Sequence, residues 1–237
     1  MPPAARPRRQ RSFARHLVGW FTRAVLLFVG GSLLWVVIYR FVPPPLTFTM
    51  LGDVLAGHSV TKDWQPLSRI DRDMARAAIA GEDGKFCSHR GFDFEAIGAA
   101  AARNAAGGRI RGGSTISQQT AKNAFLWQGG GYFRKALEAW FTGLIELIWG
   151  KRRIMEVYLN IAETGIGTYG VEAGARRYFG HGADTLSPAE AARIAAVLPL
   201  PKKRAGIAPR GFTRRYGASI QRRMGVIKRE DLDACIR

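Results

Sequence analysis

The sequence predicts a mainly α-helical domain carried by one membrane-spanning helix. Three observations predict it. Leu17 to Val42 is apolar with charges only at Arg23 and Arg40, the length a single transmembrane helix needs. From Tyr132 to about Trp149, Phe133, Leu137, Trp140, Phe141, Leu144, Ile145 and Ile148 recur at helical spacing. Ser187-Pro188-Ala189-Glu190 is a capping box with proline in the first turn, opening a helix that runs to Leu198.

In chain order, residues 1–16 carry Arg6, Arg8, Arg9, Arg11 and Arg15 with no acid, which predicts a disordered basic tail. The helix over 17–42 follows. Trp20, Trp35 and Tyr39 suit its interfaces. No small-x-small site closes the apolar run, so an uncleaved anchor is expected rather than a signal peptide. Arginines crowd its N-terminal side and nothing basic follows from Phe41 to Thr61, which places the N-terminus in the cytoplasm and the rest across the membrane. Residues 43–67 read as a linker or short strand leading into a domain over 68–201. Ser68 to Ala80 is expected to be helical, with Ile70, Met74, Ala77 and Ala78 on one face. Phe94 to Ala106 is a second alanine-rich helix, stopped by Gly107-Gly108. Leu126 to Gly131 is a glycine break. Shorter helices are expected around Ile154–Ile161 and Val171–Tyr178. Residues 202–237 carry many cations against Glu230, Asp231 and Asp233, and read as a basic tail.

The charge is +18, from 36 Lys and Arg against 18 Asp and Glu. Such a balance asks for a polyanionic partner: nucleic acid, acidic lipid or a phosphorylated substrate. A domain across the membrane undercuts nucleic acid. The two cysteines, Cys87 and Cys235, form no metal spacing; whether they pair stays open. His58 and His89 are too scattered for a metal site.

Two stretches carry unusual chemistry. Gly81-Glu82-Asp83-Gly84 ends a helix with adjacent carboxylates at its carbonyl end, where the negative potential disfavours ionisation and favours a general base. An ordinary solvated helix end is the plainer alternative. Gly112-Gly113-Ser114-Thr115-Ile116 leads a loop into a helix N-terminus, whose free N–H groups suit an anion. Gln118 and Lys122 share one face of that helix, though a merely capped helix would look the same. Arg134 and Glu138 stand four apart and Lys135 and Glu138 three apart, a spacing equally at home in a surface ion pair.

Four ordered motifs carry a resemblance across about residues 70–200. They are Glu82-Asp83-x-x-Phe86-x-x-His89-x-Gly91-Phe92-Asp93, Gly112-Gly113-Ser114-Thr115-Ile116-Ser117-Gln118-Gln119 with Lys122-Asn123, Arg134-Lys135-x-x-Glu138, and Ile154-Met155-Glu156-Val157-Tyr158-Leu159-Asn160. Together they resemble glycosyltransferase family 51, the peptidoglycan glycosyltransferases, whose domain also occurs in class A penicillin-binding proteins. The chain ends soon afterwards with no transpeptidase region, which is expected of a monofunctional member.

The resemblance implies a lysozyme-like helical fold with a small jaw lobe. It implies polymerisation of lipid II into glycan strands, with Glu82 as general base on the acceptor 4-hydroxyl and undecaprenyl diphosphate leaving. Glu138 would stand by the diphosphate, with a divalent cation (Mg or Mn) as the possible cofactor and no organic one. Substrate contacts are expected from Asp83, Phe86, His89, Ser114, Thr115, Gln118, Gln119, Lys122, Asn123, Arg134, Lys135 and Asn160. The implied setting is a bacterial inner membrane with the catalytic domain in the periplasm. Implied partners are membrane lipids, the growing lipid-linked strand and other cell-wall synthesis proteins. Two departures stand out: Gly129-Gly130-Gly131 replaces a basic residue many relatives carry, and Ser117 stands where Thr is commoner. The rival readings are a lytic hydrolase of similar fold, which has no use for phosphate-binding cations, and a non-catalytic scaffold, which need not keep Glu82, Glu138 and Lys122 together.

Overall fold

The computed structural model describes residues 9–105, 107 and 113–237. Residues 1–8 of the basic tail, Ala106 and Gly108 at the expected end of the second alanine-rich helix, and Gly112 of the second motif lie outside them. The tail expected over 1–16 is corrected from Arg9 onward: helix α1 spans Arg9–Phe41. Nothing after Pro7 breaks a helix, and Arg, Gln, Ala and Leu all propagate one. Within α1, Arg15–Phe41 is long and apolar enough to cross a membrane, and it is the domain's membrane anchor.

α1 does not stop at the domain's edge. The Trp140 indole donates to Ser32 Oγ at 3.1 Å, and the Trp149 indole to the Val36 carbonyl at 2.8 Å. Arg153 donates to the carbonyls of Tyr39 (2.9 Å) and Val42 (3.2 Å). Trp35 packs edge-on to Phe125 and Phe141. One face of the upper half of α1 is therefore fixed to the domain, while Leu26, Leu27 and Leu34 stay exposed.

The expected linker is structured. Thr47 caps α2 (Phe48–Leu55), and Thr61–Lys62 forms β1. β1 joins a small sheet of order β1-β3-β2, with β2 at Glu163–Gly165 and β3 at Thr168–Tyr169; β1 runs parallel to β3 and β2 antiparallel. The helix expected from Ser68 is a 3₁₀ turn over Leu67–Arg69, followed by α3 (Arg72–Glu82) with Asp71 as N-cap. The alanines of α3 are buried, which lets its neighbours come close.

α4 (Phe94–Ala105) leaves Phe94 exposed and forms the jaw side. α5 (Ile116–Phe125) packs on α6 (Gly131–Ile148) and α7 (Gly150–Ile161). Gly129 and Gly130 take left-handed φ of 83° and 86° to turn the chain into α6. Phe133, expected on the apolar stripe, is exposed, and Trp140 faces the anchor instead of the core. α7 turns its apolar face into the core, burying Ile154, Met155, Val157, Tyr158, Leu159 and Ile161, while Arg152 stays exposed and Arg153 and Glu156 half-buried.

α8 (Val171–Phe179) and α9 (Pro188–Val197) follow, α9 with the expected capping box of Ser187 and Glu190. The basic tail expected over 202–237 is the largest correction. α10 (Gly211–Arg229) packs against α9 and α3, burying Gly217, Ile220, Met224 and Ile227. Its cations had masked an apolar stripe at helical spacing. Cys235, beyond α10, forms a disulfide with Cys87, so the segment after Lys202 is stapled to the first motif.

Candidate active site

Glu82 is the last residue of α3, and Asp83 is its C-cap. The two carboxylates diverge. Asp83 turns inward: both its oxygens meet His89 Nε2, at 2.9 and 3.0 Å, and its Oδ2 accepts the Ile116 N–H at 2.9 Å. His89 Nδ1 accepts the Gly91 N–H, which puts the ring proton on Nε2, facing Asp83. Gly91 has φ +89°, and a Cβ there would meet Thr142 Cγ2 at 2.8 Å. The first motif is thus a brace tying α3 to the start of α5 and to α6.

Glu82 faces the other way. Its Oε2 accepts Gln119 Nε2 at 3.0 Å, while its Oε1 is buried with no hydrogen-bond partner among the described residues. Burial raises its pKa above the ordinary carboxylate value; Gln119, Arg204 and Arg223 pull it down and Asp83 pushes it up. The helix-end reasoning expected that direction; burial is the larger cause. Tyr216 donates to the Gly81 carbonyl at 2.7 Å and holds the end of α3 against α10.

On α5, Thr115 and Gln118 form a capping box, and the Thr115 hydroxyl donates to the Gly91 carbonyl at 2.6 Å. Ser117 donates to Glu146, which also pairs with Lys151 at 2.7 Å. Gln119, Lys122 and Asn123 line a cleft of about 400 Å³ with Tyr158, Glu163 and Lys202. Burial lowers the pKa of Lys122, opposed by the charges of Glu138 and Glu82. Lys122 therefore lies within electrostatic reach of both glutamates.

The third motif is not a surface ion pair. Glu138 is 3% exposed. Its Oε2 accepts Arg134 at 2.7 Å and its Oε1 accepts Lys135, which also reaches Ser114 Oγ at 3.4 Å. The substituted glycines support this arrangement: the Gly129 carbonyl accepts Arg134 Nε, and a Cβ at Gly130 would meet Arg134 Cβ at 2.9 Å. The donor set around Glu138 does not fit a divalent cation. Both carboxylate oxygens are held by cations, and no group of three His, Cys, Asp or Glu able to hold a metal occurs among the described residues.

Of the expected substrate contacts, Gln119, Lys122 and Asn123 line the cleft, and Ser114, Arg134 and Lys135 gather around Glu138 beyond it. The others point elsewhere. Phe86 is fully buried, and Asp83, His89, Thr115 and Gln118 are occupied in the brace and cap just described. Asn160, also fully buried, exchanges hydrogen bonds with the Gln65 backbone at 2.8 Å each way. Sequence reasoning missed Tyr158, Glu163, Lys202, Arg204 and Arg223. The cation run from Lys202 onward was the one signal for three of them, and it read as a basic tail.

This geometry, a buried unpaired carboxylate linked through a lysine to a cationic clamp, defines a group-transfer site for an anionic leaving group. Residues 49–229 match the family model described as Transglycosylase, and the chain belongs to that family. It is 50% identical over 211 residues to the biosynthetic peptidoglycan transglycosylase of Caulobacter vibrioides, covering 89% of this chain and 92% of that one. Proteins of the same description from Xanthomonas campestris pv. campestris (47%, 95% of this chain and 91% of the relative) and Pseudomonas putida (48%, 88% and 91%) are similar throughout.

Proposed function

We propose that the chain polymerises lipid II, with Glu82 as general base and undecaprenyl diphosphate as leaving group. The chain is a membrane-anchored peptidoglycan glycosyltransferase; this proposal supplies its chemistry. The observation that carries it is Glu82 Oε1, buried and without a hydrogen-bond partner among the described residues, with Lys122 in electrostatic reach. The acceptor's GlcNAc 4-hydroxyl attacks C1 of the donor's MurNAc. As the new O4–C1 bond forms, the hydroxyl proton passes to Glu82, a step typically worth about 10²–10⁴-fold. The C1–O bond to the diphosphate breaks and its electron pair leaves with the phosphate.

Developing charge on the diphosphate meets Arg134, Lys135 and Lys122, cations already fixed in place and costing no reorganisation. They supply the positive charge that Mg or Mn was expected to bring. Glu138 holds Arg134 and Lys135 at the angle the diphosphate needs. Ser114 and Asn123 complete the polar contacts, and Gln119 holds Glu82.

The arginine asymmetry around α1 supports an N-terminus in the cytoplasm and a domain in the periplasm, where a disulfide such as Cys87–Cys235 also persists. A reporter fused after Arg237 and active only in the cytoplasm would overturn that orientation. Purified protein with labelled lipid II tests the activity: polymer is expected. Recovery of unchanged monomer would sink it, and cutting of finished peptidoglycan would favour a lytic hydrolase.

A further inference from the structure

The cleft wall across from α5 holds polar chemistry that the reaction leaves unused. Glu163, in β2, lines the cleft with Tyr169, Lys202 and Lys203. Its side chain is 11% exposed, and its Oε1 has no hydrogen-bond partner among the described residues. Lys202 Nζ lies 3.7 Å away, beyond hydrogen-bond reach. Lys202 bonds Asp53 instead, at 2.5 Å, and the other Asp53 oxygen accepts the Tyr169 hydroxyl at 2.7 Å. Asp53 and Tyr169 are hydrogen-bonded within the cluster, and Glu163 is left with only the longer ion pair to Lys202. Burial, the largest cause, pushes the Glu163 carboxyl up to about 7, so near neutral pH it can donate or accept. Buried polar atoms without partners are few in native proteins, and a bound group is one way to complete them.

Charge selects the ligand. At the clamp, Arg134 and Lys135 bond Glu138, and Lys122 feels both Glu138 and Glu82, three cations to two carboxylates, which suits a diphosphate. Here Lys202 and Lys203 line the cleft with Glu163, and Lys202 bonds Asp53, a balanced set that suits a neutral group. Leu198 and Pro199 add apolar surface to the same cleft. Hydroxyl and amide partners beside an apolar patch match an N-acetylated pyranose, whose methyl group needs such a patch.

We propose that Glu163 is a substrate-binding carboxyl that hydrogen-bonds a neutral N-acetylated sugar of the substrate in this cleft. The inference rests on the polymerase reading above. Its test is steady-state polymerisation of lipid II by the full chain, wild type beside Glu163→Gln, Glu163→Ala and Glu163→Met. Removing a contact made equally in ground and transition states raises KM and spares kcat, so the Ala and Met variants should show KM up about tenfold with kcat nearly unchanged. Gln, which can still donate and accept, should stay near wild type. Met fills the space that Ala empties, so a loss confined to Ala, with a lowered Tm, would show a packing role and overturn the proposal. Unchanged KM in both Ala and Met would overturn it too. A wild-type protein that makes no polymer would instead remove the reading on which the inference stands.

Discussion

Glu82 and Glu138 are both carboxylates in helical site motifs, yet their surroundings give them opposite work. Glu138 has each oxygen held by a cation, from Arg134 and Lys135 on its own helix. Glu82 has one oxygen on a neutral amide and the other on nothing, with burial pressing its pKa upward. A carboxylate with both oxygens held by cations is a good fixture. A desolvated, half-satisfied one is poised to take a proton. Environment, not residue type, separates fixture from base.

The sharpest break of this contrast is Glu82→Gln. The amide keeps the shape but takes no proton, so turnover should fall by on the order of 10⁴-fold while lipid II still binds. Wild-type polymer yield from this variant would end the general-base assignment. Glu138→Gln should cost less, about 100-fold, because it frees Arg134 and Lys135 to drift without removing a reacting group. Fold and membrane association should persist by circular dichroism and sedimentation; a rate equal to wild type would return Glu138 to a mere ion pair.

Gln119→Leu is the gentlest. The Gln119 amide stabilises the charged form of Glu82, so its loss should raise the pKa of Glu82 further. Because the base must be unprotonated to act, the acid limb of the pH–rate profile moves to higher pH. Activity at neutral pH should drop about threefold and recover on the alkaline side. A loss equal at every pH would mean that Gln119 acts on the substrate rather than on Glu82.

Part of this contrast was legible in the sequence. A helix ending at Gly81-Glu82-Asp83-Gly84, the three-and-four spacing onto Glu138 and the loop into α5 are all local patterns, and each stands where it was expected. The local pattern could not tell Glu82 from Asp83, since both ended one helix. Asp83's burial depends on His89 and Ile116, brought in by the fold. The placement of Asn160 was hidden for the same reason, its partner Gln65 lying 95 residues away. Asp53, Glu163 and Lys202 meet only because α2, β2 and the turn after α9 converge, a juxtaposition no spacing rule encodes. α10 was hidden by composition: Arg214, Arg215, Arg222 and Arg223 drew the eye from Ile220, Met224 and Ile227, which are its buried face.

The grip of the domain on α1 has one more consequence. Ser32, Val36, Tyr39 and Val42 are bonded to Trp140, Trp149 and Arg153, so the cleft does not swing on a tether but rides at one altitude over the bilayer. A lipid-linked sugar diphosphate is itself confined to a single plane, that of the headgroups. Two bodies held at fixed heights need only drift sideways to meet, and their encounter becomes a search over an area rather than a volume. For such an enzyme the anchor is a height gauge as well as a leash, and lengthening α1 by one turn, about 5.4 Å, would lift the whole site away from its substrate's level.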